Sequence, residues 1–312
     1  MSGKIKSSGA HIDYEDDDME SEDKMKNTIE AGKAAAQIRD SLDIKVGDRY
    51  SDICEKMEKK MAELGCGFAF PVNVSVNEIT AHDTAGLNDD RTITERDLVK
   101  IDIGVHKNGF IADGAVTFDM TGEYGHLMEA SKEALENAIS VVKAGVDTSK
   151  LGAEIEKTVK RRGLKVIENL TGHGLEQYII HSDPMIPNYE TKKGTILNEG
   201  DVIAIEPFVT TGDKDGHVTE MDRCEIFGAS SFEPTRNRDA RRMMERIADE
   251  RKAMPFAERH YVKNAQDKIA LMELVRNGSL MAYPVLRERS RGMVAQFEHT
   301  VIVGKDSAEL VF

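Results

Sequence analysis

The sequence predicts an α+β fold built from two related halves with a site between them. Three observations carry that expectation. Residues 99–117 read as a β-hairpin with two aspartates, a helix signal recurs at a constant offset of 98 residues, and strand-like runs follow the helices in each part of the chain. A length of 312 residues suffices for one large domain or two ordinary ones.

In chain order, residues 1–24 read as a disordered acidic tail, with Glu15, Asp16, Asp17, Asp18 and Glu20 and little to bury. A helix is expected over 23–42, and Gly47 then breaks the chain. A second helix begins near Ser51, puts Ile53, Met57, Met61 and Leu64 on one stripe, and stops at Gly65. In 99–117, Val99, Ile101, Ile103 and Val105 alternate with Lys100, Asp102 and Gly104, the period of a half-buried strand. Asn108-Gly109 is a strong turn signal, because both central positions of a type I′ turn need positive φ. With that turn Asp113 faces Gly104; with a turn at Lys107-Asn108 it faces Asp102. Either register puts Asp102 and Asp113 on one face, where two like charges repel unless a cation sits between them. Taken alone, the stretch reads slightly better as two aspartates facing water.

The helix signal then returns. A helix over 127–144 ends at Gly145, and Leu151, Ile155 and Val159 form a stripe closed by Gly163. Gly47, Ile53, Met57, Met61 and Gly65 map onto Gly145, Leu151, Ile155, Val159 and Gly163 at one offset. Strands are expected at 201–209, at 223–227, and from 293 to the C-terminus. Between them, 229–278 reads as an inserted helical subdomain, with helices at 239–254 and 263–276, leaving 25–228 plus 279–312 as the main domain. The insertion is rich in arginine, which is read as a solvated helix face.

The net charge of −14 argues against a dominant nucleic-acid surface. No apolar run is long enough to cross a membrane, and the first residues hold no apolar core of a signal peptide. Cys54, Cys66 and Cys224 form no CxxC pair, so reduced thiols in the cytoplasm are expected.

Polar chemistry falls in apolar settings at several further places. His173 stands between Gly172 and Gly174 in NLTGHGLEQY, Glu206 closes VIAIE before Pro207, and Glu298 lies in QFEHTVIV on the face of Gln296 and Thr300. His82 ends NEITAH and His181 ends YIIH. Singly, each reads most simply as a satisfied structural histidine or a solvated glutamate. Together, Asp102, Asp113, His173, Glu206 and Glu298 form a set of mostly hard oxygen donors, and four carboxylates suit two divalent ions better than one. Spacing along the chain does not show that these groups meet.

The ordered blocks KIDIG, FIAD, PVNVSVNEITAH, NLTGHGLEQYIIH, AIEPF and AYPVLRERSRGMVAQFEH resemble the type 2 methionine aminopeptidases, over roughly residues 25–312. The resemblance implies a pita-bread fold, two pseudo-symmetric halves around a dinuclear site, with the helical insertion found in that class. It implies Asp102, Asp113, His173, Glu206 and Glu298 as ligands of two divalent ions (Mn, Fe, Co or Zn), with Asp113 and Glu298 bridging. It implies His82, His181 and Glu206 as catalytic groups. Phe70, Ile180, Phe208, Tyr283 and Leu286, beside the two histidines, would bind substrate. The implied activity is removal of an initiator methionine before a small second residue, through attack of a metal-activated hydroxide on the peptide carbonyl. Nascent chains, and with them the ribosome, are implied partners of a monomeric cytoplasmic enzyme. Two alternatives accompany it: a pita-bread binding protein that has lost activity, and an Xaa-Pro hydrolase. The first is disfavoured because no ligand position is lost. Gly114, directly after Asp113, is a small departure from the family pattern.

Overall fold

Apolar stripes at helical spacing, closed by glycine, produce the same helix pair twice. In the computed structural model, which describes residues 21–312, the first pair is α1 (Ser21–Asp40) and α2 (Tyr50–Glu63). The second is α3 (Gly125–Ser140) and α4 (Thr148–Arg161). Both α2 and α4 have 14 residues and lie 98 residues apart at each end. Their expected stripes, Ile53, Met57 and Met61 against Leu151, Ile155 and Val159, are buried. Gly47 and Gly145 precede the two helices at φ +95° and +84°, a region open to glycine at no steric cost.

Each helix pair packs on a sheet. In the first half the strand Leu98–Lys107 pairs with Gly67–Phe68, Asn73–Val76 and Phe110–Asp119. Val99, Ile101, Ile103 and Val105 point into a core shared with α1 and α2, which turns Lys100, Asp102 and Gly104 to the opposite face. In the second half a five-stranded sheet runs in the order Ala308–Leu310, His299–Val303, Val202–Ile205, Thr171–Glu176, Ile179–Pro187. Its core is shared with α3 and α4.

Several boundaries differ from expectation. The last four residues assigned to the tail are already helical in α1, and the rest of the tail lies outside the described residues. The α3 helix stops at Ser140 because the chain leaves it to bond Ala144 N–H to the carbonyl of Gly304. The expected strand 201–209 is two, Val202–Ile205 and Phe208–Thr211, interrupted at Glu206-Pro207, where proline offers no N–H. The strand from 293 onward is likewise cut, into Ala295–Gln296 and His299–Val303. Glu298 bonds instead to Ala115 of the first half in both directions, at 3.0 and 3.4 Å. The two breaks lie opposite each other, since Ile205 pairs with His299 and Phe208 with Gln296.

The insertion is not purely helical. Ile226–Ala229 and Leu280–Tyr283 form its neck, and Phe256–Ala257 adds a third strand. Above the neck α5 (Arg238–Arg251), α6 (Glu258–Tyr261) and α7 (Ala265–Arg276) enclose a core of their own. Lys252, at φ +55°, ends α5 three residues before the expected limit. Among the described residues no helix is long and apolar enough to cross a membrane.

Candidate metal centre

The hairpin takes the Asn108-Gly109 turn, and its register sets Gly104 against Asp113. Asp102 and Asp113 therefore share a face. Thr300 fixes the backbone of Asp113 from the other half: its hydroxyl accepts from the Asp113 N–H and donates to the Asp113 carbonyl, both at 2.8 Å. His173 pairs with Ala204, two residues before Glu206 at the strand break. Its flanking glycines are needed for close approach, because a Cβ at Gly172 would stand 2.3 Å from the Ala204 carbonyl oxygen. His173 Nδ1 faces the carbonyl of Gly174 at 3.2 Å, an acceptor only, so Nδ1 carries the proton and Nε2 is left with its lone pair. That Nε2 is 3.7 Å from Asp113 Oδ2 and 3.9 Å from Glu206 Oε1.

The strand breaks supply the second pair of acids. Ligand atoms of Asp113, His173 and Glu298 all lie within 4.8 Å of one another. Gln296 Nε2 donates to Glu206 Oε2 at 3.2 Å and, more weakly, to Glu298 Oε2 at 3.4 Å. Asp102 Oδ1, Asp113 Oδ1 and Glu298 Oε1 are buried with no hydrogen-bond partner. Burial pushes the Asp102 carboxyl up to about 7. It also holds Asp113, Glu206 and Glu298 well above the usual carboxylate range, with their negative neighbours adding to the effect. Buried acids with orphaned oxygens beside a neutral imidazole are a poor arrangement for a metal-free core and a good one for hard divalent cations. The residues fit the metal.

The same residues line a cavity of about 390 Å³, which also takes in both histidines. His82 sits in the left-handed region at φ +62°, with Nδ1 3.3 Å from the carbonyl of Pro284. Since that carbonyl only accepts, Nε2 is the nitrogen left for the cavity. Burial, and then the neighbouring His181, lower the His82 imidazole to about 4. His181 stands edge-on to His173 with ring centres 4.6 Å apart. Of the expected pocket residues, Phe70, Ile180, Phe208 and Tyr283 line the cavity. Leu286 is not among the lining residues: it packs against the adjoining cluster of Ile167, Phe208, Val218 and Val294. Several contributors are not among the residues expected from the sequence, Asn73, Ala81, Asn169, Leu170 and Thr171 of the lining among them. Ile226 and Pro255, from the neck and insertion, line the cavity, and Gln296 bridges two acids. Only Gln296 carried a signal, its place on the face of Glu298.

Residues 26–305 match metallopeptidase family M24. The chain belongs to that family. A methionine aminopeptidase of Archaeoglobus fulgidus is 45% identical over 284 residues, 90% of this chain and 96% of that protein. One from Pyrococcus horikoshii is 46% identical over 89% of this chain and 96% of its own length. Among solved structures, a thermophilic Arx1 superposes with TM-score 0.78 at 17% identity, covering 93% of this chain and 90% of that one. A Thermotoga maritima methionine aminopeptidase superposes with TM-score 0.68 at 24% identity, covering 92% and 96%. These structural likenesses show the pita-bread fold. As an M24 member the chain is a metal-dependent hydrolase that uses divalent metal, and its sequence relatives agree with the archaeal and eukaryotic type 2 class.

Proposed function

We infer that this M24 member is a methionine aminopeptidase, which removes the first methionine from peptides and nascent chains with a small second residue. One observation supports it most directly. Five potential ligands and two imidazoles from both halves border one cavity, whose remaining wall is mostly apolar and aromatic, with Asn73, Asn169 and Thr171 as its polar exceptions. The archaeal relatives, at about 45% identity across nearly the whole of their length, point the same way.

In this reading Asp102, Asp113, His173, Glu206 and Glu298 would hold two divalent ions. Bound there, such ions acidify water and polarise a carbonyl oxygen. The protein's own groups do the rest. Glu206, steadied by Gln296, holds and passes a proton toward the leaving amine. His181 would bind or polarise the substrate carbonyl, and His82, with Nε2 left for the cavity, would act near the scissile peptide nitrogen. Phe70, Ile180, Phe208 and Tyr283 enclose the methionine side chain, whose thioether packs well on ring edges. Cytoplasmic location, a monomeric state and nascent chains at the ribosome belong to the same reading. The Xaa-Pro alternative has weaker support, since a Pyrococcus furiosus prolidase shares the fold at only 19% identity.

The test strips the protein of metal, restores Mn, Fe, Co or Zn singly, and follows methionine released from Met-Ala-Ser and Met-Lys-Ser. Release from the first and not the second is expected. No release with any metal would overturn the assignment.

A further inference from the structure

The insertion reaches the cavity through Pro255, and the first half reaches it through Phe70. Between these two walls lies Arg251, the last residue of α5, with only 6% of its surface exposed. A single nitrogen, Nη2, is shared among three main-chain carbonyls: Phe68 at 2.8 Å, Ala69 at 3.0 Å and Pro255 at 2.8 Å. The guanidinium also lies over the Phe68 ring, 3.9 Å from its centre. Glu58 and Glu250 favour its charge only through space, and no acid is among its hydrogen-bond partners. A buried cation spent on carbonyls costs more than a surface ion pair, so the contact fixes a geometry rather than adding solubility. Ala69 is fully buried and immediately precedes Phe70, while Pro255 lines the cavity itself. One side chain therefore ties together the main chain behind both walls.

We propose that Arg251 is a specificity-positioning residue, which sets the width of the methionine pocket by holding the Phe70 segment against Pro255. The proposal rests on the methionine aminopeptidase reading. It does not touch the reacting groups, because Arg251 contacts no acid or histidine of the centre. Stacking of the planar guanidinium on Phe68 fixes where Nη2 meets the carbonyls of two segments, 68–69 and 255, and a lysine offers a point charge without that plane.

The experiment compares the full chain with Arg251→Met and Arg251→Lys on Met-Ala-Ser and Phe-Ala-Ser. For Arg251→Met, KM for the methionine peptide should rise about tenfold with kcat within about twofold, and the preference for methionine over phenylalanine should fall about tenfold. Arg251→Lys should move both in the same direction by less. Arg246→Ala, one turn back on α5 and bonded outward to Glu250, should leave both unchanged. Folded Arg251 variants with unaltered KM and selectivity would overturn the proposal; if Arg251→Met does not fold, Arg251→Lys alone decides in the same terms. Should the unaltered chain release no methionine, the functional reading fails first, which separates the two outcomes.

Discussion

At the scale of single residues, the centre is defined by what its acids lack. Asp113 and Glu298 are nearly fully buried, each with one oxygen that nothing in the protein satisfies. Removing either side chain leaves fewer donors for any cation, while the main-chain bonds of Asp113 and Glu298 across the halves stay in place. Asp113→Ala or Glu298→Ala is expected to abolish metal binding and turnover together, read by metal content after dialysis and by methionine release; activity lost with metal retained would contradict their role. His82→Ala should behave oppositely, keeping metal while turnover falls about 10²-fold or more, the usual worth of a positioned acid–base or oxyanion group. The aspartate face was legible from alternation alone, because a period of two fixes which side chains share a side. The unusual Gly114 was noticed in the sequence, but its reason was not. A Cβ there would stand 2.0 Å from the ring of Phe312.

At the scale of elements, that ring ties the C-terminus to the site from behind. Phe312 packs on Gly114 and meets His299 edge-on, with Arg39 of α1 stacked 5.3 Å from its centre. Gly114 and His299 each follow an acid of the centre, Asp113 and Glu298, and face away from it. Phe312→Ala should cost about 3–5 kcal/mol, as for other buried aromatic truncations, measured by denaturant unfolding. Weaker metal affinity should accompany it. Unchanged stability would mean that the ring is not supporting these strands. On the cavity side, a Cβ at Gly104 would stand 2.2 Å from Phe70. Gly104→Ala should therefore raise KM more than it lowers kcat, because the ring has only the pocket to move into. The hairpin, its turn and six of the helices were legible because their signals are local. The strand breaks at Glu206 and Glu298 were not, since apolar runs such as VIAIEPFV look continuous while the Glu298 main chain is diverted by a partner in the other half.

At the scale of the whole molecule, two related halves each deliver a pair of acids to a shared seam. The duplication was readable from the 98-residue offset, and the lengths and ends of α2 and α4 match it. The convergence was not readable, because the contacts that make it, such as Thr300 on Asp113, span 187 residues. A seam of this kind ties stability to metal and to pH. Without metal, the folded state keeps protons on its acids, with Asp102 raised to about 7 and Asp113, Glu206 and Glu298 well above their ordinary range. In the unfolded chain those acids ionise near pH 4. The folded, metal-free protein thus binds more protons than the unfolded one, so its stability falls as pH rises through 7. His82 and His173, lowered to about 4 and about 3, pull the other way, but only below the ordinary histidine range near 6.5. Lys100, buried against the Asn77 and Val294 carbonyls and lowered to about 7, acts alike with or without metal. Divalent metal takes the place of the retained protons, and its binding strengthens as they leave. The melting temperature of the metal-loaded protein should therefore exceed that of the chelated protein by an amount that grows from pH 6.5 to 8. Paired thermal melts in chelator and in Mn would check it, and a gap that is constant or shrinks across that range would show that the four acids do not carry the metal.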